Sequence, residues 1–90
     1  MSLRPTTREY FDEVLSLPHD RTAPAEPTAW YATDDGRVIA EVGFDPVSER
    51  WLGVVYAQSP EGWQEVDRHG EGYFDLDDAE RAIVSSAAAL

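Results

Sequence analysis

Apolar residues at Tyr10, Phe11, Val14, Leu15 and Leu17 recur at the spacing of one helical face, and Pro18 stops the run. Thr6 and Glu9 stand three positions apart at its start, as in a capping box with Thr6 as N-cap. The pattern predicts a helix over residues 7–17, with Met1 to Pro5 as a loose lead. Residues 19–28 are polar, hold Pro24 and Pro27, and read as an extended surface connector. From Ala29 the period changes to two, and strands are expected over 29–34, 37–45, 50–58 and 63–68. Asp35-Gly36, Pro46–Glu49 and Ser59–Gly62 form the turns between them. The fourth strand is the most polar and reads as an edge, followed by a flexible bend at His69–Gly72. Asp75 then caps a helix over 76–89, whose first turns carry Asp77, Asp78 and Glu80, where the macrodipole favours negative charge. The order is α-β-β-β-β-α. Short turns between consecutive strands make an antiparallel meander, so residues 1–90 are expected to form one α+β domain with both helices on one face.

Pairing arithmetic tests this register. A two-residue loop at Asp35-Gly36 sets Asp34 against Arg37, Thr33 against Val38 and Tyr31 against Ala40. A loop at Pro46–Glu49 sets Asp45 against Arg50 and Phe44 against Trp51. Each hairpin then closes on an opposite-charge pair. A Ser59–Gly62 loop sets Gln58 against Trp63 and Val55 against Val66. Alternation sends Tyr31, Val38, Ala40, Val42, Phe44, Trp51, Val55, Ala57 and Val66 to a first face, which reads as the core beneath the helices.

The second face should be polar if it meets water. It carries instead Trp30, Ala32, Ile39, Leu52, Val54, Tyr56 and Trp63, beside Glu41, Glu65 and Asp67. Aromatic residues within an acidic rim have the composition of an interface. Trp30, Ile39, Leu52, Tyr56 and Trp63, rimmed by Glu41 and Glu65, are therefore expected to bind a second copy of the chain, or an unknown protein partner. The 19–28 connector folded over the same face would bury it instead.

Charge narrows the partners. Eighteen acids against seven arginines and no lysine give a net charge of −11, and the acids are spread along the chain. Direct contact with nucleic acid is not expected, because phosphate binding needs clustered Lys or Arg. Without cysteine there is no disulfide and no Cys-based metal site. No apolar run approaches the roughly 20 residues of a membrane span, and the expected setting is the cytoplasm.

Catalytic motifs are missing too. No serine sits in a Gly-x-Ser-x-Gly elbow, and Gly70-Glu71-Gly72 is a lone Gly-x-Gly. His69 with Asp67 and Glu71 lacks metal-ligand spacing, and Asp75 to Glu80 lacks the glycine and distal glutamate of a calcium loop. No enzymatic activity and no cofactor are expected. Two alternatives stay open. One is a small-molecule binder or enzyme, with His19, Arg21 and Trp30 in a cleft between the 19–28 connector and the sheet. The other is an acidic mimic of nucleic acid.

In composition, with abundant dispersed acids and arginine without lysine, the chain resembles small uncharacterised acidic proteins of haloarchaea. That resemblance implies a surface hydrated by carboxylates and stabilised by concentrated salt. Gly70-Glu71-Gly72-Tyr73 and the acidic helix from Asp75 resemble the strand-to-helix corner of small ββα repeat proteins of unknown function, over about 14 residues, and no residue role follows from it.

Overall fold

The computed structural model describes residues 3–15 and 26–89. Its elements are β1 (Arg4–Thr6), α1 (Arg8–Leu15), β2 (Glu26–Ala32), β3 (Val38–Asp45), β4 (Arg50–Ser59), β5 (Gly62–Tyr73) and α2 (Leu76–Ala88). The strands form one antiparallel sheet in the order β1-β2-β3-β4-β5, so the α+β meander is as expected. The two central hairpins keep their strand registers, with Tyr31 opposite Ala40, Phe44 opposite Trp51 and Asp45 opposite Arg50, but the first does not close on Asp34–Arg37: its turn runs from Thr33 to Gly36, whose N–H donates to the Thr33 carbonyl, and Asp34 meets Arg4 instead. At the first turn Gly36 takes a positive φ of 69°, which an L side chain resists. The Thr33 hydroxyl and the Arg37 N–H both donate to the Asp35 carboxylate there and hold its pKa below the ordinary value.

The expected loose lead contributes a strand from Arg4 onward. Arg4, Pro5 and Thr6 pair with Ala32, Tyr31 and Trp30 and add a fifth strand. Thr6 therefore does not cap the helix. Thr7 does, its hydroxyl accepting the Tyr10 N–H at 3.2 Å. Ser16 and Leu17, at the end of the expected helix, lie outside the described residues, as do connector residues 19–25. The last residues of that connector belong to β2, where Glu26 pairs with Phe44 and Pro27 with Gly43, and the register slips between Pro27 and Ala29.

The helices divide between the two faces, which corrects the expectation of one covered face. On the first face α2 lays Ala79, Ile83 and Ala87 on Val38, Ala40, Val42 and Val55. On the second, Phe11 of α1 packs with Ala32, Ile39, Val54 and Tyr56. Each face of this sheet has its own apolar row, and each helix has one stripe to bury. The chain leaves β1 at the outer edge of β2, and from there α1 closes the second row.

β5 also departs from expectation. It runs on through the supposed bend, from Gly62 to Tyr73. Gln58 does face Trp63, and Tyr56 faces Glu65, but Val55 faces Asp67. Val66 is thus a bulge, 41% exposed, rather than a core residue. The bulge turns Asp67 to the first face, where its carboxylate accepts the Ser86 hydroxyl of α2. It leaves Glu65 and Arg68 near each other, with Arg68 Nε donating to Glu65 at 3.1 Å. A second slip lies between Trp51 and Gly53, opposite Tyr73 and His69. Gly72 sits there with φ 76°, and a Cβ on it would stand 2.5 Å from Arg50 Cβ. Bulges and charges blunt the outer edge of β5 against strand pairing. No described helix is long and apolar enough to cross a membrane.

Candidate interaction face

The second face has two parts. Its half nearer the Asp35-Gly36 turn is the seat of α1. Phe11 is wholly buried there and meets the Tyr56 ring edge to face, with centroids 6.2 Å apart. The Trp63 indole N–H donates to the Val14 carbonyl at 3.0 Å and ties the end of the helix to β5. At the helix start, the Arg8 guanidinium lies 5.9 Å from the centre of the Trp30 ring. α1 thus spans the sheet from the β2 edge to β5.

Three of the seven residues assigned to an interface by sequence are therefore interior. Ile39 and Glu41 are fully buried, and Tyr56 is 1% exposed. Glu41 is no rim acid: the Trp30 indole N–H donates to its carboxyl group at 2.8 Å, supplying a hydrogen-bond partner that a buried polar group requires. Trp30, Leu52 and Trp63 are half-buried, and Glu65 is exposed. Alternation alone cannot tell a face covered by its own helix from one awaiting a partner, so sequence placed all seven outside.

Toward the other end of the sheet the apolar surface continues. A Cβ on Gly72 would meet Leu52 Cδ2 at 2.8 Å, so Leu52, Gly72 and Arg50 are contiguous. The Arg50 guanidinium lies 3.8 Å from the centre of the Phe74 ring, which is 73% exposed. Phe74 and Arg50 were missed in the sequence. Phe74 precedes the N-cap of α2, where a hydrophobic staple would tuck it against Ala79. Its exposure appears only once the strand-to-helix path is known.

A second feature is an open groove of about 530 Å³ at the β1–β2 edge, with Thr7, Arg8, Trp30, Tyr31 and Glu80 in its walls. The Tyr31 hydroxyl donates to Glu80 at 2.7 Å. Burial raises the Tyr31 pKa well above its ordinary value, and the hydrogen bond to Glu80 and the charges of Glu80 and Asp77 add to the rise. Of the residues assigned to a ligand cleft, Trp30 lines this groove, while His19 and Arg21 lie outside the described residues. His69 belongs to β5, opposite Gly53, and not to a loop. Among the described residues, no three His, Asp or Glu side chains come together as metal ligands.

In comparison with known proteins, no family model, no curated protein and no solved structure matches this chain.

Proposed function

We propose that this protein is a non-catalytic interaction module that self-associates through the second face of its sheet. The observation that carries this is the surface left after α1 is seated: Trp30, Leu52 and Trp63 stay partly exposed, and Phe74 extends the patch beneath Arg50. Aromatic residues and arginine are the usual anchors of interfaces, and a two-fold pair of copies is the commonest assembly. Two chains of charge −11 repel each other, so association strengthens as salt screens them. A cytoplasmic setting fits a chain without cysteine. The test is the solution mass in molar KCl of the wild type and of Leu52→Glu. Trp63 is the wrong residue to change, because its indole also holds α1. A wild-type dimer that becomes monomeric in Leu52→Glu supports the proposal, and a wild-type monomer at every concentration rejects it.

The β1–β2 groove favours one other function, small-molecule binding, since its volume falls within the roughly 300–1,000 Å³ of ligand sites. Saturable quenching of tryptophan fluorescence in a metabolite screen, lost in Trp30→Phe, would support that function. Nucleic-acid mimicry finds less support, because the acids of α1 and α2 lie on opposite sides of the sheet.

A further inference from the structure

We propose that Asp35 is the residue at which this chain converts to isoaspartate, and that the Thr33 hydroxyl holds the reaction off while the turn between β2 and β3 is closed.

The reaction needs two neighbouring groups and no catalyst. The Gly36 nitrogen attacks Asp35 Cγ and gives up its proton. The N–Cγ bond forms, a Cγ–O bond of the protonated carboxyl breaks, and that oxygen leaves as water. A second water then opens the five-membered ring. Opening at the main-chain carbonyl of Asp35 routes the backbone through Cγ and frees the α-carboxylate, so mass and charge are unchanged. Glycine hinders the attack least, because it has no Cβ and the widest backbone freedom. Asp35-Gly36 is the single Asp-Gly bond of the chain, which holds no asparagine to compete. Asp35 is exposed to water and Gly36 is half-buried.

The closed turn occupies both reacting groups. The Gly36 N–H donates to the Thr33 carbonyl at 2.9 Å, which ties down the attacking nitrogen. Asp35 Oδ1 accepts the Thr33 hydroxyl at 2.7 Å and the Arg37 N–H at 3.1 Å, which ties down the carboxyl group. The same two bonds favour the anion, and an anion must gain a proton before its oxygen can leave as water. Thr33 is itself buried, and its oxygen accepts the Val38 N–H at 3.2 Å, so the hydroxyl is a fixed donor. Isomerisation therefore proceeds from the opened turn, as amide hydrogen exchange does. The product does not fit the closed one. It carries an extra main-chain carbon before Gly36, where a Cβ would already stand 3.1 Å from the Tyr10 hydroxyl of α1.

The full chain is aged warm at neutral pH, in molar KCl and separately in concentrated urea. Peptide mapping reads isoaspartate at Asp35 as a second peak of equal mass, and circular dichroism reports folding in the same samples. Wild type should convert at least about tenfold more slowly folded than in urea. Thr33→Val, folded in KCl, should convert about two- to tenfold faster than wild type, the range expected for one lost hydrogen bond. Thr33→Ser keeps the hydroxyl and should stay near wild type, and all variants should agree in urea. Ile83→Val loosens the core on the far side of α2's seat without touching the turn, and should also stay near wild type. Equal wild-type rates in KCl and urea overturn the proposal, as does isoaspartate arising first at another aspartate. Those two arms need no variant. A folded Thr33→Val that ages like wild type, or an Ile83→Val that ages as fast as Thr33→Val, overturns the role of the hydroxyl.

Discussion

The two-sided arrangement of the helices makes a quantitative claim about energetic independence. Phe11 and Ile83 are each fully buried, in clusters on opposite faces of one sheet. Phe11→Leu removes part of one buried side chain, at about 1 kcal/mol on the scale of about 0.8 kcal/mol per buried methylene. Ile83→Val costs about 0.5–1.5 kcal/mol, including the small cavity left. Together they should remove about 2 kcal/mol, which lowers the thermal midpoint of a domain this size by about 8–16 °C. The sheet stands between the two sites and they share no partner. The double-mutant cycle should therefore close to within about 0.3–0.5 kcal/mol. Helices packed side by side on one face would share cavity walls and couple more strongly. Urea unfolding of the wild type, both single variants and the double, at one protein concentration in molar KCl, gives the cycle. A coupling of about 1 kcal/mol or more would refute the two-sided core. So would a Phe11→Leu variant as stable as wild type, which would mean α1 is not seated.

Three further outcomes follow from the structure. The net charge of −11 is spread over the surface, so the thermal midpoint should rise steeply from dilute buffer to molar KCl as the screening length falls from about 30 Å to about 3 Å; a flat melting profile across that series would count against carboxylate-dominated repulsion. Tyr31 has a raised pKa in the fold, so its contribution is complete below the unfolded value of about 10 and is lost as pH climbs through the folded value. Stability measured from pH 9 to 12 should therefore decline, and less steeply in Tyr31→Phe. Gly72→Ala should cost more than about 1 kcal/mol, because a side chain there meets both a positive φ and the Arg50 Cβ; an unchanged urea midpoint would show that β5 does not pass so close to β4.

Local chemistry made much of this fold legible. Asp35-Gly36 and the facing pairs Asp45–Arg50 and Gln58–Trp63 place three hairpins through turn residues and opposing side chains; the first two strand registers stand, and the third holds only from Gln58–Trp63 to Tyr56–Glu65 before it slips. What escaped depends on contacts distant in sequence. β1 owes its pairing to the open edge of β2, and nothing in Arg4-Pro5-Thr6 announces a strand. The Val66 bulge follows from placing Asp67 under Ser86 of α2, nineteen residues away. Glu41 looked like a rim acid because alternation reports only a face. Its burial depends on the Trp30 indole of the neighbouring strand and on the packing over that face. The candidate site was legible as an unusually apolar face, but its division into a helix seat and an exposed remainder was not. Phe74, the most exposed aromatic ring of that remainder, gains its meaning only from the Arg50 guanidinium stacked on it.

Self-association is tested most directly by the mass of the chain in solution. Light scattering behind size exclusion in molar KCl should give about 20 kDa for the wild type, twice the 10.1 kDa chain, and about half that for Leu52→Glu at equal concentration. A wild type that elutes at the mass of a single chain across the concentration series would contradict the account.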